Sequence, residues 1–189
     1  MKNNFSIILA NTYRSKIYLK YFLKSKFRPS EIIFLDNGKK NLLSKLFKKF
    51  NIKIKRFNHS LIDNKKIVNY ILKSKNFYFV YSGYSGYVIR NINLLSKKKI
   101  LHAHPGRLPE YKGSTTIFYS ILNSNKIYCS TMILDGKIDE GEKINQLQFK
   151  LTCKDFKNFE FFDSRIRITT LLDALKKIEK NKKFKKRKI

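Results

Sequence analysis

Tryptophan is absent from this sequence, cysteine occurs twice, proline three times and glycine seven times in 189 residues. Cys129 and Cys153 have neither companions nor metal-ligand spacing. They read as core thiols in a reducing compartment, not as a disulfide framework or a thiolate metal site. No apolar run reaches 18 residues, so no membrane-spanning helix is expected. The opening Met1–Leu9 is too short and too polar for a signal peptide, and a cytoplasmic location is the expectation. Acidic residues are also scarce, 13 against 42 Lys and Arg, which leaves a formal net charge of +29. Such a surface attracts nucleic acid, anionic lipid or phosphorylated substrates. The lysines are spread along the whole chain, as drift in composition would leave them, whereas an RNA-binding surface more often gathers Arg and aromatics on one face.

The remaining composition, 42% hydrophobic and 14% aromatic, is that of a folded chain long enough for one domain with a real core. Short apolar runs at Phe5–Leu9, Glu31–Leu35 and Phe77–Tyr81 read as strands, and Ile52–Phe57 alternates as a half-exposed one. Between them lie helical spacings. Thr12 can cap a helix carrying Ile17, Phe22 and Leu23, which ends before Pro29. Asn41–Phe50 is a second, and Ser60 can cap a third that carries Ile67, Ile71 and Leu72. Further on, Ser114 can cap a helix reaching about Asn123, with strands at Ile127–Leu134 and Lys143–Leu151. Ile168, Leu171, Leu172, Leu175 and Ile178 make the stripe of a closing amphipathic helix. This alternation predicts an open, mostly parallel α/β sheet with helices on both faces, Rossmann-like in form. Residues 1–181 would form one domain and 182–189 a basic, solvated tail.

Six of the seven glycines lie between Gly83 and Gly141, and Pro105 and Pro109 fall in the same stretch. Unusual backbone geometry concentrates where main chain approaches a ligand. A brief strand at Ile100–Leu101 runs into His102-Ala103-His104, placing these histidines where open parallel sheets bind ligands, beyond a strand's carboxyl end. Residues two apart in extended chain point the same way, so both side chains face one side. The pair could begin a metal site, though only carboxylates such as Asp139 could complete it, or could be two satisfied loop histidines.

The segment Leu101-His102-Ala103-His104-Pro105-Gly106-Arg107-Leu108-Pro109-Glu110-Tyr111-Lys112-Gly113 resembles the signature loop of the folate-dependent formyltransferase family, Asn-x-His-Pro-(small)-x-Leu-Pro-x-(aromatic or basic)-x-Gly. That family also has an Asp-x-Gly element about thirty residues later, matched here by Ile138-Asp139-Glu140-Gly141. Its Gly-aromatic segment, about twenty residues before the loop, is matched by Ser82-Gly83-Tyr84-Ser85-Gly86-Tyr87-Val88. The resemblance covers residues 77–145. It implies N10-formyltetrahydrofolate as formyl donor, and His104 as the group that steadies developing charge and moves the amine proton. Asp139 would orient His104. Gly83, Tyr84, Ser85, Gly86, Tyr87 and Val88 on one side, with Ile138, Glu140 and Gly141 on the other, would bind the cofactor largely through main chain. His102 stands where the family has asparagine, whose amide donates to the formyl oxygen; a histidine can donate from one ring nitrogen. This replacement also leaves formyl hydrolysis, or a different acceptor, open. No metal is expected, since formyl transfer needs no Lewis acid.

The family's acceptors are the ribonucleotide glycinamide of purine synthesis, methionyl-tRNA and amino sugars linked to nucleotide or lipid. The purine enzyme carries a Gly/Ser-rich phosphate loop after its first strand, where this chain reads Ala10-Asn11-Thr12-Tyr13-Arg14-Ser15. The tRNA enzyme has a further C-terminal β domain for which this sequence is too short. A phosphorylated or nucleotide-linked small amine, best an amino sugar, is the expected acceptor. Other readings are glycinamide ribonucleotide, methionyl-tRNA, hydrolysis of the formyl-folate, or a non-catalytic folate- or nucleic-acid-binding remnant.

Overall fold

A computed structural model of the protein describes residues 5–124 and 126–186. The first strand, β1 (Phe5–Ala10), is buried along its whole length, as the apolar run requires of a central strand. It is followed by α1 (Tyr13–Lys24), β2 (Glu31–Leu35), the single turn α2 (Ser44–Phe47) and β3 (Lys53–Phe57). Then come α3 (Lys65–Lys73), β4 (Tyr78–Ser82), α4 (Ile92–Lys97), β5 (Lys99–His104) and α5 (Thr116–Ser124). The chain closes with β6 (Ile127–Ile133), β7 (Glu142–Phe149), α6 (Cys153–Lys157) and α7 (Phe159–Lys186). One seven-stranded sheet results, in the order β3-β2-β1-β4-β5-β6-β7. The five strands β1–β5 are parallel, and β6 and β7 join antiparallel at one edge. This is the open, mostly parallel sheet that the alternation of elements predicts.

Strand periodicity assigns the core to two layers. Phe5, Ile7 and Leu9 point to the face covered by α1 and α7, where they meet Ile17, Phe22, Phe162 and Leu171. Ile8, with Ile33, Phe79 and Ile100, points to the opposite face and packs on Ile67, Ile71, Leu94 and Leu95 of α3 and α4. Each fully buried Phe or Ile contributes about 1.5–3 kcal/mol, so the two layers hold the sheet from both sides.

Local side chains shift several expected boundaries. Thr12 does cap α1, accepting from the Ser15 amide. The helix expected over Asn41–Phe50 shrinks to one turn because side chains take its first amides. Asn41 accepts from Leu43 N and Asn11 from Leu42 N, offering the backbone an alternative to the helix. Asn64, not Ser60, caps α3. The short helices α4 and α6 lie in stretches whose few residues show no stripe. Of the two cysteines expected in the core, Cys129 is buried in β6, but Cys153 is exposed, because it opens α6, a helix that buries none of its residues. Helix α7 continues to Lys186, so the segment set apart by composition from residue 182 begins inside it; residues 187–189 lie outside the described residues.

After β1 the chain builds β2 and β3 to one side, then returns to lay β4 and β5 on the other. The carboxyl ends of β1 and β4 therefore diverge at a switch point, and a crevice opens there. The segments after β1, β4 and β5 line it.

Candidate active site

A cavity of about 480 Å³ occupies this crevice, within the range that holds a small ligand or cofactor. One wall is Tyr84–Ile89, from the loop after β4; another is Leu134 and Gly136–Asp139, from the β6–β7 connection. His102 and His104 form the floor with Tyr81, and Arg14 and Arg167 reach in from α1 and α7. The structure thus brings His102, His104, Asp139, Tyr84, Ser85, Gly86, Tyr87, Val88 and Ile138 onto one cavity. Gly83 stands behind the wall, where its carbonyl accepts from Arg14 Nη2 at 2.7 Å. Glu140 and Gly141 face a smaller hollow beside Lys112 and Lys143, with Asp139 shared between the two. Gly141 is held to glycine by packing, since a side chain there would run into the Ile133 carbonyl.

Both histidines lie in β5 and face the same side, as two-residue spacing in a strand dictates. His104 Nδ1 is 3.1 Å from Asp139 Oδ2, with both side chains largely buried. Its Nε2 is 2.8 Å from the Tyr111 carbonyl and 3.3 Å from Thr116 Oγ1. Gly106 makes room for this ring, because a Cβ there would stand 2.5 Å from Nε2. Asp139 holds its place through a hydrogen bond that the Gly113 amide donates to Oδ2 at 2.8 Å, and takes a backbone φ of 51°. That left-handed conformation costs a non-glycine residue about 1–2 kcal/mol, though aspartate tolerates it better than most.

Burial lowers the pKa of His104, against the opposing pull of the Asp139 charge and the Tyr111 carbonyl. The resting ring is thus biased towards the neutral form that can accept a proton. Asp139 and the Tyr111 carbonyl are both acceptors, so a protonated ring could donate to both at once. The surroundings are preorganised for the charge that appears after proton transfer.

His102 is held neutral more firmly. Burial pushes its pKa well below the usual value, and Arg167, Arg14 and His104 push the same way. Its Nδ1 is buried without a protein partner. An unfolded chain would protonate this ring near 6.5, whereas the folded protein keeps it neutral. The stability it contributes is therefore whole above about pH 6.5 and falls as the pH drops below, by up to about 1.4 kcal/mol per pH unit. The melting temperature should decline between pH 7 and pH 5, and less so in His102→Asn. Equal acid sensitivity in the two proteins would contradict this assignment.

Two cavity residues were not singled out as a pair by the sequence. Arg167 binds both oxygens of Asp163 through Nε, at 2.9 Å each, and donates to the Ala103 carbonyl at 2.7 Å. It thereby ties α7 to the strand that carries both histidines. Among the described residues Arg14 has no carboxylate partner within ion-pair or hydrogen-bond distance; its Nε is buried and unbonded. Burial, then Arg167, lowers its pKa. Among the described residues no group of three His, Cys, Asp or Glu side chains comes together to hold a metal. No described helix is long and apolar enough to cross a membrane.

No known family model matches this sequence. Over 50 residues it is 40% identical to a methionyl-tRNA formyltransferase of Helicobacter pylori, a match covering 26% of this chain and 16% of that protein. The fold is similar to the crystal structure of phosphoribosylglycinamide formyltransferase from Campylobacter jejuni, with a TM-score of 0.69 at 18% identity, over 94% of this chain and 98% of the other. It is also similar to a sugar N-formyltransferase from Shewanella, with a TM-score of 0.62 at 14% identity, over 90% of this chain and 68% of that one. The chain has the fold of the formyltransferases, and its sequence resembles theirs through the histidine loop, the Asp-x-Gly element and the Gly-aromatic segment.

Proposed function

We propose that the protein is an N-formyltransferase that takes its formyl group from N10-formyltetrahydrofolate and delivers it to the primary amine of a small anionic acceptor, best a nucleotide-linked amino sugar. The observation that carries this reading is the His104–Asp139 pair, 3.1 Å apart, at the end of a parallel strand and on the wall of a ligand-sized cavity. The cavity suits a flat heterocycle with polar edges. Tyr84–Ile89 wall it from a loop outside helix and strand, whose main-chain groups can hydrogen-bond a ligand, and Gly86 and Gly136 take positive φ. The bound folate supplies an activated formyl group. The His104–Asp139 pair takes up the proton lost by the attacking amine: Asp139 borders the cavity and holds His104 Nδ1, and the doubly protonated ring that results can donate to Asp139 and to the Tyr111 carbonyl together. His102, neutral beside two guanidinium groups, donates one N–H towards the charge that builds on the formyl oxygen.

Arg14 supports an anionic acceptor. A half-buried guanidinium whose hydrogen bond among the described residues goes to a backbone carbonyl, with Nε buried and unbonded, is costly unless an anion completes it. The loop after β1 argues against a phosphate cradle like that of the purine enzyme. Its Asn11 amide donates to Tyr84 Oη at 3.2 Å and its Thr12 amide to the Ala10 carbonyl at 2.9 Å. The Asn11 side chain is spent on Lys39, Lys40 and Leu42. A nucleotide-linked amino sugar keeps the anionic group while needing no such cradle.

Calorimetry with 5-formyltetrahydrofolate should detect one saturable site, and Gly86→Val should weaken it. No protein atom lies within 4 Å of a Cβ placed at Gly86, so the expected loss comes from forcing a branched residue to φ 77° in the cavity wall. A folded protein without affinity at millimolar ligand would end this reading. Formyl transfer assayed in parallel on nucleotide-linked amino sugars, glycinamide ribonucleotide, methionyl-tRNA and water would identify the acceptor. Turnover with water alone would make the protein a hydrolase.

A further inference from the structure

The loop from Gly83 to Asn91 joins β4 to α4 without helix or strand of its own, yet it forms a whole wall of the cavity. Side chains from elsewhere must therefore hold it. Its first half is fixed from α1 and β2: Arg14 donates to the Gly83 carbonyl, and Tyr84 Oη donates to the Leu35 carbonyl at 3.2 Å. Its second half is fixed by one carboxylate. Asp63 Oδ2 accepts from Tyr87 Oη at 2.7 Å and from the Arg90 amide at 2.8 Å. Asp63 sits between the fully buried Ile62 and Asn64, the cap of α3, so its own backbone is well anchored.

Two details set this contact apart from ordinary packing. Both donors share one oxygen, while Asp63 Oδ1 is buried with no partner. A buried, unpaired carboxylate oxygen lowers stability, and sites with such a cost tend to serve function. In addition, Tyr87 lines the cavity while its hydroxyl is tethered to Asp63, which does not line it. Burial and the adjoining Asp63 charge push the Tyr87 pKa up to about 12, so the hydroxyl remains a donor throughout the physiological range.

We propose that Asp63 is a positioning residue for the cofactor, latching Tyr87 and Arg90 so that the far half of the loop keeps the cavity at the width a folate requires. This inference rests on the folate reading of the cavity. Without the latch, residues 87–90 lose two hydrogen bonds to the body of the protein. The ligand must then order that segment itself on binding, and affinity falls.

The test compares wild type, Asp63→Ala, Asp63→Asn, Tyr87→Phe and the Asp63→Ala/Tyr87→Phe double variant by calorimetry with 5-formyltetrahydrofolate. Asp63→Ala should weaken binding about tenfold. Asp63→Asn, which keeps one carbonyl oxygen, should recover part of the loss. The double variant should bind about as weakly as Asp63→Ala alone, because both changes remove the same contact. Hydrogen exchange of the free proteins should quicken in the 83–91 segment of Asp63→Ala and stay unchanged in β1, β4 and β5. If Asp63→Ala does not fold, Tyr87→Phe and Asp63→Asn carry the same comparison. Wild-type affinity in these variants, with folate bound normally by the wild type, would overturn the latch and leave the cofactor reading intact. Absence of folate binding by the wild type would overturn the cofactor reading and this inference with it. Uniformly faster exchange through the sheet would assign Asp63 to stability, against the proposal.

Discussion

His104→Ala should lower the rate of formyl transfer about 10²–10⁴-fold, the loss expected for a general acid–base group. The side chain is nearly inaccessible and its removal leaves a space beside Thr116 and Gly106, so circular dichroism and folate calorimetry should first establish that the variant folds and binds. Asp139→Asn is the cleaner partner experiment. Asparagine tolerates the left-handed φ of 51° as well as aspartate does, and its amide oxygen can still accept from the Gly113 amide. The substitution therefore removes the charge while keeping the loop. It should preserve folate binding and slow the reaction strongly, because protonated His104 loses its counter-charge. Near wild-type rates in both variants would show that the proton leaves by another path.

The second large effect is expected at His102. If its neutral ring donates to the developing oxyanion, His102→Ala should cost about 10²–10³-fold in rate while His102→Asn retains much of the activity. Because Arg14 and Arg167 join burial in holding this ring deprotonated, its titration lies well to the acid side. The rate profile from about pH 6.5 upwards should therefore look alike in wild type and His102→Asn, any limb there belonging to His104 or the amine. Transfer at the wild-type rate by His102→Ala would reduce the residue to packing at the end of β5 and leave the oxyanion to other donors.

Short-range chemistry explains why so much of the fold is legible in the chain. Phe5–Ala10, Glu31–Leu35 and Tyr78–Ser82 are compact apolar runs, and such runs bounded by polar residues have few fates other than buried strands. The boundaries that moved did so where an asparagine competed for backbone amides. Asn41 and Asn11 shortened the helix expected over Asn41–Phe50, and Asn64 displaced Ser60 as a cap. A side-chain amide can bind main chain at several offsets, so its choice depends on what else lies within reach. At the site, β5 carries both histidines by simple alternation, and the loop to Gly113 follows at once, which makes that part local. The remoter cavity residues had a weaker signal. Arg14 and Arg167 are arginines in a chain rich in lysine, and arginine suits rigid, multidentate contacts, but nothing in the sequence joins positions so far apart.

By itself the sequence determined the alternation of strands and helices, the glycine-rich end of the sheet, and the two-residue spacing that turns both histidines of one strand to the same side. These are consequences of local periodicity and of turn chemistry, which act over a few residues. The family resemblance already paired Asp139 with His104, and the fold set the two 3.1 Å apart; tertiary structure alone decided that Arg14 and Arg167 close on His102 and that Asp63 reaches Tyr87 in the β4–α4 loop. These contacts join segments distant in the chain that the folded sheet and its helices bring together: β5 with β6 for His104 and Asp139, and β1 with β4 and β5 for Arg14 and the histidine strand. The protonation states follow from the same step, because a ring loses its water, and acquires the charges that tune it, only when the sheet and α7 enclose it.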